Sequence, residues 1–164
     1  MKTEIVKGKI KKALLEFIEK DKKDLYTVDI YEPTLSHRIA VYLEELFSEY
    51  YIDCEYNKHL SKNKTISNNK NIISSETGKK RNIRPDIIIH KERGKDTENL
   101  VIFEIKKCGK DTKKAKEDIK KLEDCLEKDL NYTIGVFVGI LKGRVDIVWI
   151  EKDKNKIYES LITK

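Results

Sequence analysis

With 39% of its 164 residues charged and 38% hydrophobic, the chain has the length for a single domain, expected over residues 1–164, with a lean core. No stretch approaches the roughly 20 apolar residues that span a bilayer, and charges punctuate the N-terminal region where a signal peptide would carry its apolar run. A membrane partner is therefore excluded and a cytoplasmic location expected. The net charge of +6 favours an anionic partner, and the three cysteines (Cys54, Cys108, Cys125) lack the short paired spacing of a zinc site or disulfide framework.

The elements follow from periodicity. Apolar residues at helical spacing (Ile5, Val6, Ile10, Ala13, Leu14, Phe17, Ile18) predict an amphipathic helix over 2–20, followed by a polar link at 21–24 and an ambiguous stretch at 25–33. Pro33-Thr34 opens a second helix to about Tyr50, striped by Leu35, Ile39, Tyr42, Leu43, Leu46, Phe47 and Tyr50. Residues 51–56 read as a strand. Residues 57–84 are rich in Asn, Lys and Ser and read as a basic loop, either mobile or ordering on a ligand, with Ile72-Ile73 as a brief rung within it. Between Lys58 and Arg84 eight basic residues face one acid, Glu76, a balance of +7 that leaves −1 for the remainder. Lys79, Lys80, Arg81 and Arg84 are the candidate nucleic-acid contacts, with Arg38 beside them.

Two strands come next, Arg84-Pro-Asp-Ile-Ile-Ile-His90 and Asn99-Leu-Val-Ile-Phe-Glu-Ile-Lys-Lys107. A helix is predicted over 111–130, with Ala115, Ile119, Leu122 and Leu126 on its apolar face and Lys113/Glu117 and Lys114/Asp118 at i,i+4 spacing. The near-continuous apolar run 133–141 suits a strand buried on both faces, parallel to the strand that carries Glu104. A turn at Lys142-Gly143 leads into a strand over 145–150, and the last residues, 151–164, are weakly patterned.

The chemistry lies on the two middle strands. Side chains alternate between faces along a strand, so Glu104 and Lys106 share one face while Phe103 and Ile105 take the other. Pairing of the two strands as a hairpin lets Asp86 meet both. Two carboxylates suit a hard cation, and a lysine beside them suits a metal-bound water or negative charge developing at phosphorus.

Pro85-Asp86 followed by Glu104-Ile105-Lys106 resembles the signature of the PD-(D/E)xK nuclease superfamily. The stretch from about Glu32 to Val138 is similar to small stand-alone, largely uncharacterised members. The resemblance implies a restriction-endonuclease-like α/β fold: an αβββαβ core, a mixed central sheet flanked by helices, an extra N-terminal helix and a C-terminal strand. It implies hydrolysis of phosphodiester bonds, with DNA expected, using Mg²⁺ or Mn²⁺ held by Asp86, Glu104 and the Ile105 carbonyl, with Lys106 orienting or deprotonating the attacking water. Further metal ligands are sought near the second helix, with Glu32 ahead of His37. Asp53 and Glu55 are weaker candidates, and Lys121 is expected to pair with Glu117 in preference to reaching the sheet end. The alternative function is a nuclease-fold module, weak or inactive in catalysis, that binds nucleic acid or a protein. Oligomeric state stays open, a homodimer being the arrangement by which many nucleases cut both strands.

Overall fold

The computed structural model describes residues 1–27, 30–55, 84–92, 99–127, 130–153 and 155–162, with backbone alone at 22–27, 58–59, 62–63, 65–66, 81–82 and 127. Among these residues three helices, α1 (Thr3–Thr27), α2 (Glu32–Leu46) and α3 (Lys113–Glu127), accompany a six-stranded mixed sheet. The sheet contains β1 (Tyr51–Cys54), β6 (Ile87–His90), β7 (Asn99–Lys106), β8 (Ile134–Leu141), β9 (Arg144–Glu151) and β10 (Lys156–Ile162), side by side in that order. Two short ladders lie between β1 and β6 in sequence: β2 (Lys58–His59) with β3 (Lys62–Asn63), and β4 (Thr65–Ile66) with β5 (Arg81–Asn82). The basic segment is thus not wholly structureless, although Ile72-Ile73, Lys79 and Lys80 lie outside the described residues. No described helix is long and apolar enough to cross a membrane.

The sheet is antiparallel except where β7 meets β8, and that pair runs parallel with Glu104 opposite Phe137 and Lys106 opposite Gly139. Alternation sorts side chains onto two cores. On one face Ile87, Ile89, Val101, Phe103, Ile105, Val136 and Trp149 pack with Val6, Leu14 and Phe17 of α1 and with Leu35, Ile39 and Leu43 of α2. On the other, Ile88, Ile102, Phe137, Val148 and Ile150 pack under Ala115, Ile119, Leu122 and Leu126 of α3. Gly135 lets α3 approach, since a β-carbon there would stand 3.3 Å from Leu122 Cβ.

Three expectations change. The first helix does not stop at residue 20. It runs through the polar stretch 21–24 to Thr27, because no proline or glycine interrupts it before Pro33. The extension is pinned at Asp21, whose carboxylate takes a two-pronged ion pair from Arg38 (3.0 and 3.2 Å) and a hydrogen bond from the Tyr42 hydroxyl (2.7 Å). Ile5 faces solvent instead of joining the stripe. The C-terminal stretch forms β10, paired along its length with β9. As the edge strand it leaves Ile157, Tyr158 and Ile162 exposed, so its sequence carries no alternation for burial to enforce.

Candidate active site

Asp86 sits where β6 begins. Pro85 before it has no N–H and an extended preference, which suits a strand entry. The Asp86 N–H donates to the Phe103 carbonyl at 3.1 Å, and its carbonyl accepts the Glu55 N–H at 3.1 Å. Its carboxylate then replaces a backbone carbonyl: Oδ2 accepts the Ile105 N–H at 2.7 Å. The acid is therefore fastened to β7 one residue from Glu104 and one from Lys106.

Lys106 gathers the site. Its ammonium donates to Asp86 Oδ2 at 3.2 Å and to the Ile105 carbonyl at 3.0 Å, and lies 3.7 Å from Glu104 Oε2. Asp118 Oδ2 and Glu32 Oε2 each stand 4.0 Å away. Glu104 is 2% exposed and pairs through Oε1 with the Lys121 ammonium. Glu32, in the first turn of α2, accepts the Lys107 N–H at 3.3 Å and faces Lys114 at 3.9 Å. Four carboxylates and three ammonium groups thus meet at the end of β7, drawn from α2, the β6 entry, β7 and α3.

Burial governs the protonation. It pushes the Glu104 carboxyl up to about 7; Lys121 opposes the shift, and Asp86 and Asp118 add to it. Burial also works against the Lys106 charge, but Asp86, Glu104 and Asp118 outweigh it and raise the ammonium above its ordinary value. Asp118 is raised, mainly by burial, with Lys106 and Lys121 pulling the other way.

The donors fit a hard cation. Oxygens of Asp86 and Ile105 already hold one positive charge, the Lys106 ammonium, with a Glu104 oxygen close by, and carboxylate and carbonyl oxygens are what Mg²⁺ or Mn²⁺ prefers. Among the described residues no group of three or more His, Cys, Asp or Glu side chains is arranged to hold a metal ion.

The structure brings Asp86, Glu104, the Ile105 carbonyl, Lys106 and Glu32 together. It does not bring His37, which is exposed on α2 and joins none of these contacts. Arg38 is committed to Asp21 and Tyr42, so it locks α1 to α2. Asp53 bonds His90 at 2.8 Å, and Glu55 pairs with Arg84 at 3.3 Å, so neither acid joins the cluster and Arg84 is partly occupied. Arg81 lies in β5, where only the backbone is described. The expected Lys121–Glu117 pair gives way to Lys121–Glu104, because α3 packs across the sheet face that carries Glu104. Sequence reasoning missed Asp118 as a site residue. The available signal was its spacing: Lys114, Asp118 and Lys121 stand at i, i+4 and i+7, one stripe of α3. No disulfide joins any of the three cysteines. No family model, curated protein or solved structure matches this chain.

Proposed function

We propose that this protein is a metal-dependent nuclease of the PD-(D/E)xK kind that hydrolyses phosphodiester bonds in DNA. The observation that carries the reading is the convergence of Asp86, Glu104 and the Ile105 carbonyl on the Lys106 ammonium at the end of β7. The order α2, β1, β6, β7, α3, β8 supports it, being the helix–strand–strand–strand–helix–strand order that the restriction-endonuclease-like core implies once the short ladders are set aside.

Asp86, Glu104 and the Ile105 carbonyl would hold a Mg²⁺ or Mn²⁺ ion, which supplies an activated water and neutralises charge at phosphorus. The protein's own groups do the rest. Asp86 is oriented by the Ile105 N–H before any ligand arrives, so its carboxylate is preorganised. Lys106, largely buried, would donate to the attacking water or to a phosphoryl oxygen. Lys121 holds Glu104 by one oxygen and leaves Oε2 directed toward Lys106.

Nicking of supercoiled plasmid at low salt tests this. Wild type should cut in Mg²⁺ or Mn²⁺ and stop with EDTA. Asp86→Ala, Glu104→Ala and Lys106→Ala should each lose about 10²-fold or more, the scale on which positioned acid–base and charge-stabilising groups contribute. Cutting that survives Asp86→Ala would remove the centre assigned here.

A second reading has its own observation. Each ligand carboxylate already faces an ammonium, Lys106 for Asp86 and Lys121 for Glu104. A nuclease-fold module that binds nucleic acid or a protein without cutting would keep such a self-neutralised site. It predicts DNA binding that is salt-sensitive and indifferent to EDTA, with no nicking.

A further inference from the structure

Lys106 has one acceptor too many on one side of it and an idle one on the other. Its ammonium spends two hydrogen bonds on Asp86 Oδ2 and the Ile105 carbonyl, two of the oxygens that a divalent cation would take. A cation there leaves a largely buried ammonium without those acceptors and beside a like charge, an unfavourable arrangement unless another carboxylate receives it. Asp118 Oδ2 is the group in place. It is buried, it accepts no hydrogen bond from any described residue, and it lies 4.0 Å from Lys106 Nζ. Glu32 Oε2 is equally near, but Glu32 is more exposed than Asp118, and its other oxygen, Oε1, accepts the Lys107 N–H and faces Lys114. A buried carboxylate oxygen with no donor is costly to keep. Asp118 is held there by α3, whose neighbouring side chains Ala115, Ile119 and Leu122 are packed into the core.

We propose that Asp118 is a positioning residue: it receives the Lys106 ammonium when Asp86 and the Ile105 carbonyl are given up to a divalent cation. Asp118 then keeps Lys106 beside the attacking water without competing for the ion. The inference rests on the nuclease reading. It also assigns α3 a share of the site that the Asp86…Glu104-Ile105-Lys106 pattern does not contain.

Calorimetric titration with Mn²⁺ tests it without measuring cutting. Asp118→Asn should weaken Mn²⁺ binding by about 10-fold, the lower end of what outer-shell partners contribute to metal affinity, because Lys106 then clings to Asp86. In a Lys106→Met background there is no ammonium to relocate, so adding Asp118→Asn should change the affinity by less than about 2-fold on the same scale. Asp118→Ala, run in both backgrounds with circular dichroism to confirm folding, should behave as Asp118→Asn does. Equal weakening in both backgrounds would make Asp118 a direct ligand and overturn the proposal. No weakening in either would also overturn it. Wild-type protein that takes up no Mn²⁺ would sink the nuclease reading itself, and this inference with it.

Discussion

Glu104 is the residue under most tension. It is the most deeply buried acid of the site, and its carboxyl is pushed up to about 7 from an ordinary 4.5, chiefly by that burial. A carboxyl with a higher pKa folded than unfolded binds more protons in the folded state. Its contribution to stability is therefore fully present below about 4.5 and is lost as pH rises through about 7. Glu104→Gln stays neutral at every pH. Relative to wild type, that variant should gain stability on going from about pH 4 to about pH 8, read as the difference in urea midpoints at the two pH values. A difference that does not change with pH would mean that the Glu104 carboxyl titrates in the folded protein as it does unfolded. Asp86 differs in kind: its carboxylate is hydrogen-bonded into the strand itself, so Asp86→Ala should disturb both metal binding and the β6 entry.

At the level of elements, β7 carries the site, and its neighbours determine where its end points. The chain leaving β7 is held tightly against β8: a β-carbon on Gly139 would come within 2.4 Å of the Cys108 carbonyl oxygen, which is backbone and cannot swing away. The same turn is secured by the Lys110 N–H on Asp146 (3.3 Å), a buried acid that Arg144 (3.0 Å) and Ser160 (2.8 Å) also engage. Thr112 closes the connection by accepting the Ala115 N–H at 3.2 Å at the start of α3, a side-chain N-cap. Gly139→Ala should therefore destabilise the fold by about 1–3 kcal/mol, seen as a lower urea midpoint. Because Gly139 lies opposite Lys106 in the β7–β8 register, it should also reduce metal-dependent nicking. A variant as stable as wild type would show that the turn can yield. The β10 edge strand extends this support, since Ser160 reaches Asp146 from it.

For the whole molecule, charge placement matters more than net charge. The remainder of the chain is close to neutral, and the excess sits in the stretch from Lys58 to Arg84, which ends just before the Asp86 strand. A polyanion drawn to that stretch would lie next in sequence to the Asp86 strand. Duplex DNA binding should weaken with salt, and replacing Lys79, Lys80 and Arg81 by serine should flatten the slope of log K against log salt by up to about 3. Fluorescence anisotropy across a salt series reads this directly, and an unchanged slope would place the phosphate contacts elsewhere. Arg38 should not contribute to it, because its guanidinium is spent on Asp21.

Strand alternation and hairpin length are local properties, and they sufficed to bring Asp86, Glu104 and Lys106 to one sheet end. The unbroken apolar run of β8 likewise announced a strand covered on both faces and parallel to β7. Helix 2 was legible from Pro33 and its stripe, although it ends at Leu46, short of the expected Tyr50; Glu32 in its first turn reaches the end of β7 while His37 is exposed. The partners of Lys121, Arg38, Asp53 and Asp118 were not legible. Each is chosen by how a helix or strand sits against another element far away in sequence, and several acids within reach would have satisfied the same side chain. Periodicity states which face of α3 is buried; only its seating on β7 and β8 decides that Asp118 and Lys121 meet Lys106 and Glu104. Residue types and their spacing along the chain therefore determined the chemistry available, while the packing of α3 across the sheet decided which charges face one another, because electrostatic partners are set by distance in space.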